Sequence, residues 1–238
     1  MTLRHRFLAI GCALLAGLTM SQLAAASVSI GGTRVIFSEA KRETTIQIKN
    51  GDAAPYLLQS WVDDSAGKKG TFLVTPPLVR IDGNKEMILR IVRTGGDLPN
   101  DRESVFYFNV KEIPQQAAEE NVLQIAVRSR MKLFYRPAGL PGTAAEAPAS
   151  LQWHVVQGDG GAPALEVTNP SAYHVTIVDA KAGAQTLRND MVAPKSTLKW
   201  PLTAGKTGQS IDVTFSTMND YGAETAPVNV TATPQASR

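Results

Sequence analysis

The fifteen residues LQIAVRSRMKLFYRP, from Leu123 to Pro137, open with Leu123, Ile125 and Val127 set against Gln124, Ala126 and Arg128. A period of two marks a strand whose two faces meet different surroundings. Strands usually run about five or six residues, so this spacing predicts one that crosses a whole domain or protrudes without an intramolecular partner. An unpaired strand edge with alternating apolar side chains can complete another protein's sheet, its backbone giving affinity and its side chains selectivity. An ordinary half-buried core strand has the same alternation. The pattern alone leaves both readings open.

Working outward, FYFNVKEIP (Phe106 to Pro114) is a second long strand, joined to the first through QQAAEEN (Gln115 to Asn121). So short a polar connection predicts neighbouring antiparallel strands. Near the other end, VSIGGTRVIFS from Val28 is interrupted at Gly31-Gly32, which predicts a bulge or a change of sheet ahead of Arg34. Between them lie TTIQIKN (Thr44 to Asn50), YLLQSWVDD (Tyr56 to Asp64), TFLVTPPLVRI (Thr71 to Ile81) and EMILRIVR (Glu86 to Arg93), separated by Gly, Asp, Asn and Pro clusters. This spacing indicates an all-β sandwich or barrel. Pro76-Pro77 cannot donate to a ladder and belongs at an edge or kink.

After Pro137 the composition changes to AGLPGTAAEAPA, read as a linker over residues 138–148. A second set of weaker strands follows from Leu151 to Pro234, with Asn219-Asp220-Tyr221-Gly222 as its strongest turn. The expectation is therefore a domain over residues 27–137 and a smaller one over 149–238.

Residues 1–26 read as a cleavable export signal: Arg4 and Arg6, an apolar run from Phe7 to Met20, then Ala24-Ala25-Ala26. Its removal takes away the single cysteine, Cys12, and leaves 22 basic against 21 acidic residues, a net charge of +1. So balanced a chain does not look like a nucleic-acid binder. Without cysteines, stability must come from apolar cores. Catalytic patterns are missing: His154 and His174 lack metal-ligand spacing, Gly205-Lys206-Thr207 lacks the glycine-rich cradle of a nucleotide loop, and no serine stands in a GxSxG setting. No enzyme, metal, nucleotide or other cofactor is expected.

LPNDRESVFYFNVKEIP (Leu98 to Pro114), RSRMKLFYRP (Arg128 to Pro137), TPPLVRI, VTNPSAYHVTI (Val167 to Ile177) and NDYG together resemble the PapD-like periplasmic chaperones of the chaperone–usher pathway, over essentially the whole mature chain. The resemblance implies two immunoglobulin-like β-sandwich domains set at an angle, with a cleft between them. Arg34 and Lys132 would grip a pilus subunit's C-terminal carboxylate there. Leu123, Ile125 and Val127 would be donated into the subunit's open groove. Glu103, Arg136 and Asp220 match a charge cluster linking the domains. Partners implied are pilus subunits, including pilins and a tip adhesin, and an outer-membrane usher in the periplasm of a Gram-negative bacterium. Self-association of the free chain through its exposed strands is left open. The loop from Gln115 to Asn121 resembles that of the short-loop subfamily. The competing reading is an exported structural or adhesive β-sandwich protein without clients. One feature sits awkwardly: Lys132 has the opposite parity to the donor residues, so either the strand twists or bulges near Ser129 or the cleft wraps around the edge.

Overall fold

The computed structural model describes residues 28–115, 125–203 and 208–235; residues 1–26, expected to be an export signal, and Leu123, expected to be a donor residue, lie outside the described residues. Among the described residues the first domain contains β1 (Val28–Ile30), β2 (Arg34–Ser38), β3 (Glu43–Asn50), β4 (Tyr56–Asp63), β5 (Phe72–Thr75), β6 (Leu78–Ile81), β7 (Glu86–Arg93), β8 (Ser104–Pro114) and β9 (Arg128–Arg136). They make two sheets, β1-β3-β7-β5 and β2-β9-β8-β4-β6. Alternation sends Ile46, Ile48, Leu89 and Ile91 of one sheet, and Phe106, Phe108, Val110, Leu133 and Tyr135 of the other, into a common core. Phe72 meets Phe37 and Phe106 edge-on at 5.1 and 4.9 Å, the arrangement favoured by the ring quadrupoles.

The Gly31-Gly32 interruption is a change of sheet. β1 pairs antiparallel with β3, and β2 pairs in parallel with β9 in the opposite layer. Gly32 has a φ of 131°, which side chains disfavour. The proline pair does the same work further on, dividing the expected Thr71–Ile81 strand into β5 and β6, edge strands of different sheets.

The fifteen-residue strand predicted over Leu123–Pro137 is shorter. β9 spans Arg128–Arg136, and Ile125 to Val127 lie outside it, tied to β8 by the Glu112 N–H donating to the Val127 carbonyl at 2.8 Å. The reason is pairing. β8 accompanies β9 back to Arg128, and β2 reaches back only to Lys132. No register shift interrupts the β8–β9 ladder, so there is no bulge near Ser129.

The second domain comprises β10 (Gln152–Gln157), β11 (Pro163–Asn169), β12 (Val175–Ala182), β13 (Gln185–Thr186), β14 (Asp190–Val192), β15 (Ser196–Pro201), β16 (Ile211–Thr217) and β17 (Val228–Pro234). One layer is β10-β11-β15 and the other is built on β12-β16-β17. β17 joins them, because Thr233 and Pro234 run parallel beside His154 and Val155 of β10. Trp153 stacks on Trp200 with a 6.0 Å centroid separation in the core between the layers. The two- and three-residue strands β13 and β14 are too short to show a period in the sequence.

Candidate functional site

The site begins with a register. In the parallel β2–β9 pair, Arg34 lies opposite Lys132, Ile36 opposite Phe134 and Ser38 opposite Arg136. Laterally paired residues share a face. Leu133 and Tyr135 of β9 enter the first domain's core, so Lys132, Phe134 and Arg136 stand on the other face, the one the second domain approaches. This resolves the parity of Lys132: the cleft lies behind the sheet, and the strand neither bulges nor wraps.

Folding of the second domain brings its partners to this face. Buried Asn169 donates through its amide to the carbonyls of Tyr173, Val192 and Ala193, and accepts from the Ser171 N–H and hydroxyl. These bonds fix the NPSAYH loop so that Ala172 and His174 meet Glu103. The Glu103 N–H donates to the Ala172 carbonyl at 2.9 Å. Its carboxylate accepts from the His174 N–H at 2.8 Å and lies 3.2 Å from His174 Nδ1. Arg136 completes the cluster with Nε on Glu103 at 2.7 Å and both terminal nitrogens on Asp220 at 2.8 and 3.0 Å. Glu103 is 2% exposed in its side chain and Asp220 36%, so the first pair is dry and the second is at the rim. Burial alone would lower the Arg136 pKa; Asp220 and Glu103 outweigh it and hold it above the ordinary arginine value.

The Asn219–Gly222 turn that presents Asp220 is seated against the first domain. Gly222 has a φ of 81°, and a side chain there would overlap the Thr33 hydroxyl just ahead of β2. Asn219 Oδ1 accepts the N–H groups of Tyr221 and Ala223 and holds the turn in shape.

Arg34 and Lys132 are brought side by side and left underused. Arg34 Nη1 donates to the Met218 carbonyl at 3.3 Å, its guanidinium lies 5.5 Å from the Phe134 ring centre, and its Nε is buried without an acceptor among the described residues. Among the described residues the Lys132 side chain makes no hydrogen bond or ion pair; it lines an interdomain cavity of about 360 Å3 with Tyr107, Thr176 and Asp190. Burial lowers the pKa of both groups. Asp220 and Glu103 oppose the shift at Arg34; at Lys132 the neighbouring Arg34 charge adds to it and Asp190 opposes it. Two partly desolvated cations with unused donors suit a carboxylate or a similar oxyanion.

Ile125 and Val127 are 68% and 44% exposed. The edge of β9 opposite β8 carries no strand from Arg128 to Met131 among the described residues, and β2 fills it only from Lys132 onward. Sequence reasoning missed His174 as a member of the cluster and Phe134 as the ring between Arg34 and His174. His174 carried no signal because its partner is 71 positions away.

Comparison with known proteins gives this geometry a family. Residues 27–141 match the model of the pili and flagellar-assembly chaperone PapD N-terminal domain, and residues 146–228 that of the pili assembly chaperone PapD C-terminal domain. The chain is 42% identical over 209 residues to the chaperone protein FocC of Escherichia coli, covering 85% of this chain and 89% of that protein. It is 41% identical over 204 residues to the chaperone protein LpfB of Salmonella typhimurium, covering 83% and 86%. Among solved structures, the periplasmic chaperone SfaE aligns with a TM-score of 0.70 at 40% identity over 85% of this chain and 98% of that one. The SafB chaperone of Salmonella enterica, solved in complex with the SafA pilin, is represented by an alignment with a TM-score of 0.75 at 28% identity, covering 88% and 98%. The chain belongs to the PapD family of pili assembly chaperones.

Proposed function

We propose that this chaperone captures a pilus subunit by adding the subunit's last strand to the open edge of β9, with Arg34 and Lys132 holding the terminal carboxylate. The observation that carries the reading is the edge of β9 from Arg128 to Met131, unpaired among the described residues and ending at two adjacent cations with unused donors. Because β2 occupies the edge beyond Lys132, a strand ending there must approach from the Ile125 side and run parallel to β9, in line with β2. Its backbone satisfies the edge while Ile125 and Val127 enter the subunit's apolar groove, each burial contributing about 1.5–3 kcal/mol. Leu123, outside the described residues, belongs to the same alternating set.

Folding energy then comes from the subunit's collapse around the donated residues, and no nucleotide or catalytic step is needed; the family is one of folding and capping proteins, not enzymes. The cluster of Glu103, Arg136, Asp220 and His174 fixes the second domain against the cleft. We assign the chain to the periplasm after removal of residues 1–26, with an outer-membrane usher receiving the loaded complex.

The test is co-production with a pilus subunit and recovery of soluble subunit bound to the chaperone. Ile125→Asp is expected to cut recovery by an order of magnitude or more, since an unpaired carboxylate entering an apolar groove costs several kcal/mol. Wild-type recovery with this variant contradicts donation by the strand.

Binding should also depend on pH. The carboxylate needs a charged Lys132, and burial lowers the Lys132 pKa, so affinity falls on the alkaline side before an ordinary lysine would discharge. The fold responds in the opposite sense: the unfolded chain keeps its proton longer, so this group's contribution to stability rises over the same window. Titrating subunit affinity from neutral to alkaline pH checks the sign, and Lys132→Arg should move the loss to higher pH.

A further inference from the structure

We infer that Arg128 and Arg130 select client strands that carry acidic side chains at alternate positions just before their C-terminus. The inference rests on strand addition at β9 and adds a chemical preference to it. Arg128 and Arg130 share the face of Lys132, each two residues further along the open edge. A strand running parallel to β9 and ending at Arg34 and Lys132 therefore sets every second side chain on this face, passing Arg128 first and Arg130 last.

Both guanidiniums are held flat and partly free. Arg130 lies 3.8 Å from the Tyr107 ring centre and donates no hydrogen bond among the described residues. Arg128 lies 5.0 Å from the Trp61 ring, which Lys69 also meets at 5.0 Å, and donates Nε and Nη2 to Asn109 Oδ1 at 3.1 and 2.7 Å. The buried Asp63 accepts the Trp61 indole N–H at 3.0 Å and forms an ion pair with one nitrogen of each arginine at 3.6 Å, too long for a hydrogen bond, so one carboxylate is shared between two guanidiniums and one positive charge is left over. The arginine side chains remain 47% and 43% exposed. The ring and amide contacts lean them back across the sheet. That leaves the edge clear for a strand and an excess of positive charge beside it, only partly balanced by Asp63, which attracts a carboxylate on the strand and repels a lysine.

The experiment measures binding of short synthetic strands with a free C-terminal carboxylate to the whole mature chaperone by fluorescence anisotropy. The strands differ only at the alternate outward positions near their end, which carry Glu, Gln or Lys. The Glu strand should bind about 3- to 10-fold more tightly than the Lys strand, with Gln between, as expected for one or two partly exposed ion pairs. The preference should shrink in high salt and reverse in Arg128→Glu/Arg130→Glu. Equal affinities for all three strands in the wild-type protein overturn the charge preference and leave strand addition standing. Failure of every strand to bind overturns the strand-addition reading and this inference with it.

Discussion

Lys132→Ala should abolish client capture and leave the chaperone at least as stable as wild type. Truncating one partner of a desolvated charge pair costs about 2–5 kcal/mol of affinity, equivalent to a loss of about 30-fold at the low end and more than 1000-fold at the high end. The stability half follows from what Lys132 lacks. Among the described residues its side chain makes no hydrogen bond or ion pair, and burial and the adjacent Arg34 charge, opposed by Asp190, together work against its protonation. Removing it relieves unfavourable electrostatics in the empty cleft. A residue that costs the fold something and returns nothing to it is kept for what it binds. Arg34→Ala should lose capture equally but with a modest stability cost, since Arg34 bonds the Met218 carbonyl and packs over Phe134. Subunit pull-down beside urea denaturation separates the two effects. A Lys132→Ala protein that captures subunit at wild-type yield removes the anchor.

Arg136→Ala is expected to cause the largest loss of stability among the site variants, about 3–5 kcal/mol, because it strips a buried carboxylate of its cation. Glu103 is almost wholly enclosed and would keep only the His174 contacts. Asp220→Asn should cost much less, since Asp220 sits at the rim and its amide replacement still offers Arg136 an acceptor. Urea unfolding of the three proteins checks the ranking. An Arg136→Ala protein as stable as Asp220→Asn would show that the cluster does not hold the domains as described. The second domain should unfold more independently in Arg136→Ala, because the remaining ties across this joint include the Ala172–Glu103 backbone bond and the Lys195–Asp101 ion pair.

Much of this was legible in the chain. The spacing of the strands narrowed the fold to a sandwich or barrel, Gly31-Gly32 marked a bulge or a change of sheet, and Asn219 to Gly222 marked the turn that carries Asp220, because each is a local rule of backbone geometry or face periodicity. The extent of the Leu123–Pro137 strand was not legible. A strand ends where its partners end, and how far β2 runs beside β9 is a property of two segments almost a hundred residues apart. Parity likewise separated Lys132 from Ile125, but only the position of the second domain shows which face is the cleft. His174 reads as an isolated imidazole until Asn169 fixes its loop against Glu103. The orphaned Nε of Arg34 is invisible in sequence, since it depends on everything packed around it.

Amide hydrogen exchange across Ile125–Met131, compared between free chaperone and chaperone bound to a pilus subunit, tests the central claim most directly. In the free protein the amides of this stretch that face away from β8 should exchange fast, and the same amides should be strongly protected in the complex. Unchanged exchange there, with protection appearing elsewhere on the surface, would contradict capture at the β9 edge.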